Sequence, residues 1–240
     1  MRVAVFDLDG TISRRDLFLV FLMEAAKQLG TARPIETAML PLHTLRYGLR
    51  KMTNTALKAA YLQAVLGGRR RDALQSIAFE FAESCLLREV KPAALAALER
   101  HRQAGDTLLL ASASFDLYVD PIGQRLGFDA TLSTKVAWTP DDAVAGSLDG
   151  SNLRGAPKLA AVSDWLARNL PDTRELVAYS DHESDLPLLM AATTAVAVDP
   201  TRKLRQEARE RGWPVVDWSR DKGKSCGVPA DRFIRLRRQV

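Results

Sequence analysis

Three short stretches of the chain carry reactive residue types at spacings that could bring them together. Asp7 and Asp9 directly follow the apolar run Val3 to Phe6. In an extended segment, residues two apart present their side chains on the same side. Ser112, with Ser114 two residues on, follows the apolar run Thr107 to Ala111. The segment Ser180-Asp181-His182-Glu183-Ser184-Asp185 follows Glu175 to Tyr179, and Lys158 opens the helical stretch before it. Carboxylates, a hydroxyl and an ammonium on one edge have the types for proton transfer, nucleophilic attack or hard-cation binding. Taken singly, each has a plainer reading. Asp-x-Asp before Gly is a common turn, Ser112, Asp181 or Ser184 would cap a helix, and a lone lysine is normally solvated. Taken together they share a position: each cluster follows a predicted buried strand or opens the adjoining helix.

The elements that must position them are legible as periodicity. Val3 to Phe6 reads as a buried strand ending in a polar turn. From Asp16 to about Leu87 the pattern is helical: Leu17, Val20, Phe21 and Ala25, then Leu57, Ala60, Tyr61 and Ala64, then Leu74, Ile77, Ala78 and Phe81. Gly67-Gly68 breaks two of these helices, and Pro34 and Pro41 punctuate earlier ones. After Pro92, helices over 93–103, 117–126, 157–169, 185–192 and 203–211 alternate with strands near 107–111, 175–179, 195–198 and 215–216. Gly127 stands where a helix would end. Segments 131–138 and 144–148 flank Thr139-Pro140-Asp141-Asp142 as a β-hairpin. The alternation predicts an α/β fold, a parallel sheet covered on both faces, with function at the carboxyl ends of its strands.

With these motifs in place, the chain resembles the haloacid dehalogenase superfamily of hydrolases over most of its length. The first motif, Asp-x-Asp-x-Thr after an apolar strand, is met by Asp7-Leu8-Asp9-Gly10-Thr11. The second, a Ser or Thr ending an apolar strand, is met by Ser112; the third by Lys158; the fourth, an acidic pair near a Ser-Asp turn, by Asp181 and Asp185. The helical stretch between the first and second motifs matches members with a cap in that place. Ser184-Asp185-Leu186-Pro187, Val198-Asp199-Pro200 and Arg211-Gly212-Trp213 are similar to the phosphoserine-phosphatase-like subgroup. The resemblance implies a Rossmann-like three-layer parallel sheet core formed by residues 1–13 and 91–240, and a helical cap of residues 14–90.

The resemblance also implies roles. Asp7 would be the nucleophile, forming an aspartyl-phosphate. Asp7, the carbonyl of Asp9 and Asp181 would hold Mg2+, and Asp185 would orient a ligand water or Lys158. Asp9 would protonate the leaving alkoxide and then activate the hydrolytic water. Ser112 and Lys158 would bind the transferring phosphoryl oxygens. Dehalogenases lack the second Asp, and P-type pumps place Lys after the nucleophile, so Asp9 leaves a phosphatase or, alternatively, a phosphotransferase or phosphomutase.

The cap should set specificity. An acidic residue nine after the nucleophile reads the substrate ammonium in phosphoserine phosphatases, and Asp16 holds that offset; it would equally serve as a helix cap. Arg46 and Arg50, four apart, would share a helical face and could meet a carboxylate, as phosphoserine requires. His182 replaces the family's usual small residue and is a candidate substrate contact. The expected substrate is a small phosphorylated metabolite, an amino-alcohol phosphate such as phosphoserine or histidinol phosphate.

Composition bounds the rest. The chain has 240 residues, 34 Lys and Arg against 29 Asp and Glu, and 47% apolar residues, which exclude a disordered chain. Cys85 and Cys226 lie far apart, so neither a disulfide framework nor a cysteine zinc site is expected. The run Leu17 to Met23 is too short to span a bilayer, and the first residues read as a strand rather than a leader. A cytoplasmic protein is expected. The net +5 is segregated: residues 14–90 carry 12 basic and 7 acidic residues, residues 202–240 carry 12 and 5, and the remainder 10 and 17. An acidic catalytic layer under a basic cap suits a divalent cation and an anionic ester. The basic tail, with Arg232, Arg235 and Arg238 at helical spacing, is the one stretch that would suit an acidic partner. It leaves open, as an alternative, a non-enzymatic basic module that binds nucleic acid or an acidic membrane surface; a tail docked on the protein's own acidic core is the plainer reading, and nucleic acid is not expected.

Overall fold

The computed structural model describes residues 1–30 and 38–220. Pro34, Cys226 and the basic tail beyond Arg220 lie outside the described residues. The strands are β1 (Arg2–Phe6), β2 (Thr107–Phe115), β3 (Ala130–Trp138), β4 (Val144–Asp149), β5 (Glu175–Ser180), β6 (Thr194–Val198) and β7 (Val215–Val216). They form a seven-stranded sheet in the order β4-β3-β2-β1-β5-β6-β7. All pairs are parallel except β4 on β3, the expected hairpin.

Helices cover both faces, and β1 shows why its sequence is continuously apolar. Ala4 and Phe6 join one core cluster, with Ala94, Ala97 and Leu98 of α5 (Pro92–Gln103 in chain order, after the four helices below) and Val119 and Ile122 of α6 (Asp116–Leu126). Val3 and Val5 join the other, with Val162 of α7 (Ala156–Asn169), Leu188 and Leu189 of α8 (Leu186–Ala191), and Leu204 and Ala208 of α9 (Arg202–Arg211). A strand buried on both faces has no polar side to alternate. The result is the expected three-layer α/β core. Phe6 stacks on Tyr179 at 4.4 Å between ring centroids, tying β1 to β5 just below the strand ends. Such a pair adds about 0.5–1.5 kcal/mol beyond burial.

Between β1 and β2 lie α1 (Phe18–Leu29), α2 (Leu40–Gly48), α3 (Asn54–Leu66) and α4 (Arg71–Arg88). The insertion is anchored through aromatic packing: Phe21 and Phe81 contact each other at 5.2 Å and Tyr118 of α6 at 4.6 and 5.6 Å. It also leans on the hairpin. Gly146 of β4 (φ +77°) packs against the Gln63 side chain of α3, which a Cβ there would have to displace. The two connections to the core run side by side. Ser13 and Val90 form an antiparallel bridge, the Arg14 amide donates to the Glu89 carbonyl at 2.8 Å, and the Lys91 amide donates to the Ile12 carbonyl at 2.9 Å.

Three local expectations need correction. β2 continues past Ser112 to Phe115, because Phe115 is buried and pairs with Thr134 after a register shift. Arg46 and Arg50 do not share a helical face: α2 ends at Gly48, and Arg50 sits beyond it at φ +57°. On α3 the buried residues are Lys58, Leu62, Ala64, Val65 and Leu66: of the predicted row Ala64 is buried, while Leu57, Ala60 and Tyr61 are half-buried.

Candidate active site

The parallel register sets the strand ends level. Phe6 pairs with Leu110 on one side and Tyr179 on the other, and the Asp7 amide donates to the Tyr179 carbonyl at 3.0 Å. Asp7 therefore emerges between the segments that carry Ser112 and Asp181. Directly after it, Leu8–Ile12 forms a single wide turn, closed by the Ser13 amide donating to the Leu8 carbonyl at 2.9 Å. Gly10 makes the turn possible. Its φ is +76°, and a Cβ there would lie 2.2 Å from Asp181 Oδ2.

Five of the predicted side chains, those of Asp7, Asp9, Lys158, Asp181 and Asp185, meet at this edge. Lys158, buried at the start of α7, donates to Asp7 Oδ1 at 2.8 Å and to Asp185 Oδ2 at 2.6 Å. Ser180 donates to the same Asp185 oxygen at 2.8 Å, while Asp185 Oδ1 is buried without a hydrogen-bond partner. Asp181 accepts a bond from Thr11 at 3.3 Å. Asp9 accepts from the Leu17 amide at 2.8 Å through Oδ1 and from the Ser114 hydroxyl at 2.5 Å through Oδ2. Ser114 thus holds Asp9 directly. Ser112 lies fully buried beneath, where its hydroxyl oxygen accepts from the Ser114 amide at 3.1 Å.

The electrostatics follow from crowding negative charge in a buried place. Burial, with the neighbouring charge of Asp185, raises the Asp7 carboxyl to about 6 despite the Lys158 ammonium. Burial and the charges of Asp16 and Asp7 raise Asp9 to about 7. Burial and Asp7 raise Asp181 to about 7. Burial pulls the Lys158 ammonium down, but the charges and hydrogen bonds of Asp185 and Asp7 outweigh it and hold it above its usual value. One cation is thus shared among more carboxylates than it can neutralise.

This edge opens into a cleft of about 580 Å³ between core and insertion. Asp16, Phe18, Leu19, Tyr47, Leu57 and Tyr61 line the insertion side. Asp16 lines the cleft, and its Oδ1 accepts at 2.7 Å from the amide of Phe18, the first residue of α1. His182 also lines the cleft. Its Nδ1 accepts from the Ser184 amide at 3.0 Å, and burial lowers its pKa, which favours a neutral ring carrying its proton on Nε2. Arg46 and Arg50 are exposed and are not among the lining residues. The cations that do line the cleft beside Lys158 are Lys58 and Arg154. Neither was singled out in the sequence. The signal for Lys58 was a charged residue four and eight positions before Leu62 and Leu66, within a buried row.

The donor set fits a hard cation. Among the described residues, no three His, Cys, Asp or Glu side chains gather so as to hold a metal by themselves. An ion here would rest on two carboxylates and a backbone carbonyl and keep several waters, which is how Mg2+ prefers to bind. The uncompensated carboxylates and the orphaned Asp185 oxygen are the physical sign that positive charge belongs at this edge.

Comparison with known proteins agrees with this architecture. A protein of Bordetella pertussis whose function is described as unknown superposes with a TM-score of 0.78 at 26% identity, over 90% of this chain and 98% of that one. A substrate-bound phosphoserine phosphatase shares the fold, with a TM-score of 0.59 at 15% identity over 91% of this chain and 93% of that one. Among curated relatives, a histidinol-phosphatase of Neisseria meningitidis is 28% identical over 58% of this chain and 64% of its own length. A phosphoserine phosphatase of Mycobacterium tuberculosis is 36% identical over 55% of this chain, and the match spans 43% of that relative. The haloacid dehalogenase-like hydrolase pattern matches residues 4–190, and the chain belongs to that family.

Proposed function

We propose that this hydrolase is a Mg2+-dependent phosphomonoesterase that works through an aspartyl-phosphate on Asp7. The observation that carries the reading is the buried Lys158 shared by Asp7 and Asp185 at the strand edge, with Asp9 held two residues on. Asp7, Asp181 and the Asp9 carbonyl would hold the ion, and Asp185 would orient Lys158 or a ligand water. Bound there, Mg2+ supplies positive charge that offsets the repulsion between a carboxylate nucleophile and an anionic ester. Residues 14–90 act as the cap that closes the cleft and excludes water.

Asp7 attacks phosphorus through its carboxylate, forming the O–P bond of the acyl phosphate as the ester O–P bond breaks. Asp9, raised to about 7, carries the proton that the leaving alkoxide needs. Water then attacks the acyl phosphate; Asp9 takes its proton back from that water, and Asp7 is freed with release of phosphate. Lys158 and the Ser112 hydroxyl, with backbone amides of the same edge, neutralise and hold the transferring oxygens.

Asp16 beside an aromatic wall of Phe18, Tyr47 and Tyr61 supports an amino-alcohol phosphate with a flat or apolar portion. Histidinol phosphate has this form, and it is the substrate type named for the Neisseria relative. Phosphoserine carries a carboxylate as well; with Arg46 and Arg50 off the cleft, Arg154 or Lys58 would have to meet it.

The test is a panel of phosphorylated metabolites, including these two and 4-nitrophenyl phosphate, assayed for released phosphate with Mg2+ and with EDTA. Turnover abolished by EDTA and restored by Mg2+ is expected; no phosphate release from any panel member would sink the reading. Gly10→Ala should lose at least about tenfold in kcat and raise the Mg2+ concentration for half-maximal activity. Its Cβ displaces Asp181, and its backbone must hold φ +76°. Unchanged Mg2+ dependence would place the ion elsewhere.

A further inference from the structure

Lys58 is a buried cation whose hydrogen bonds go to no carboxylate. Its ammonium donates to the Ala113 carbonyl at 2.5 Å and to Asn152 Oδ1 at 3.4 Å, and it lies 5.6 Å from the centre of the Phe18 ring. Burying an ammonium without a carboxylate bonded to it costs free energy that packing alone would not require.

The surrounding bonds form a closed ring across the boundary between insertion and core. Thr134 of β3 donates to the same Ala113 carbonyl at 2.7 Å and lies 3.2 Å from Asn152 Oδ1. Asn152 in turn donates through Nδ2 to Asn54 Oδ1 at 2.9 Å. Asn54 and Lys58 stand four apart on α3, so one helical turn of the insertion grips one side chain and one carbonyl of the core. The gripped carbonyl belongs to the peptide joining Ala113 to Ser114. The amide of that peptide donates to Ser112 Oγ at 3.1 Å, and the hydroxyl of Ser114 donates to Asp9 Oδ2 at 2.5 Å. A shift of α3 therefore reaches both serines and Asp9 through a single peptide unit.

We propose that Lys58, anchored by Asn152, is a positioning residue that couples the seating of the helical insertion to the Ala113–Ser114 peptide, setting Ser112 and Ser114 in register with Asp9 only when the insertion is closed. The proposal rests on the phosphatase reading above. It differs from a substrate-reading role, in which Lys58 would bind an anionic group on the leaving alcohol. Burial lowers the Lys58 pKa to about 8, in keeping with an ammonium held inside the protein rather than at its surface.

The two roles separate with 4-nitrophenyl phosphate, whose leaving group carries no anionic substituent beyond the ester. With Mg2+ present, Lys58→Met should lower kcat for this compound at least about tenfold while KM stays within about threefold. Adding methylammonium should restore part of the lost kcat in Lys58→Ala. Asn54→Ala, which breaks the ring without emptying the core, should lower kcat less. Combined with Lys58→Met it should add almost nothing, because both act through one unit. If Lys58→Met does not fold, Asn54→Ala alone must still lower kcat without raising KM. Wild-type kcat in the variants, or a change confined to KM, overturns the proposal. No turnover by the wild-type protein would instead remove the phosphatase reading on which it stands.

Discussion

Asp7→Asn is expected to abolish turnover while leaving the protein at least as stable as the parent. The amide has no nucleophilic oxygen anion, so kcat should fall by about 10⁴-fold or more, and no phosphorylated protein should be trapped on acid quench. Stability moves the other way because of what Asp7 costs. It sits buried in a site where one ammonium serves several carboxylates, and its carboxyl is pushed up to about 6. An acid with a raised folded-state value contributes stability below its unfolded value near 4 and loses it as pH rises through 6. Asparagine removes that loss and leaves Lys158 paired with Asp185. Thermal melting of the metal-free proteins at pH 8 should show an equal or higher Tm for the variant. A variant that keeps wild-type kcat would rule out Asp7 as nucleophile.

Lys158→Met should damage both properties. Methionine matches the volume but leaves Asp7 and Asp185 facing each other in a buried pocket, where Asp185 Oδ1 already lacks a partner. Breaking a buried ion pair on one side costs about 3–5 kcal/mol. The loss should depend on pH in a defined direction. Without the ammonium Asp7 holds its proton more tightly still, so the variant gains protons on folding and is favoured at low pH. Urea denaturation should therefore show a gap from wild type that is small at pH 5 and widens toward pH 8. A gap independent of pH would mean that Lys158 contributes packing and not charge. At pH 8, kcat should fall by at least about 10³-fold, because the developing phosphoryl charge loses its fixed counterion.

What the sequence revealed and what it withheld divide on a physical line. Asp7, Asp9, Asp181 and Asp185 were legible because they follow apolar strands whose parallel register sets their ends level, and Lys158 because it opens a helix and completes the motif order of the resemblance. Gly127 was legible as a left-handed helix end for a local reason, and it has φ +69°. Contacts across the insertion were not legible. The faces of α3 depend on what the helix lies against, so of the predicted row Leu57, Ala60, Tyr61 and Ala64 only Ala64 is fully buried, and Lys58 is buried beside it. The pairing of Arg46 with Arg50 assumed a helix that in fact stops at Gly48. Ser114 was passed over in favour of Ser112, because no periodicity tells which of two nearby hydroxyls will reach Asp9.

The paired connections between core and insertion bear on protein engineering. Residues 12–14 and 89–91 are zipped by backbone bonds, and side chains reinforce the ladder: Arg15 donates to Glu89 at 2.6 Å and Lys91 to Asp199 at 2.8 Å. A cassette taken from another member would also have to bring its own partners for the Ala113 carbonyl and Asn152, which Lys58 and Asn54 supply here. A further tie limits where the splice can fall: Asp9 Oδ1 accepts from the Leu17 amide, three residues beyond that ladder. A chimaera cut at residue 14 would import a foreign backbone to orient its own acid. One cut after Leu17 would keep the native amide on Asp9 together with Asp16 on the cleft wall, and would exchange the aromatic wall and the Lys58 tie as one unit.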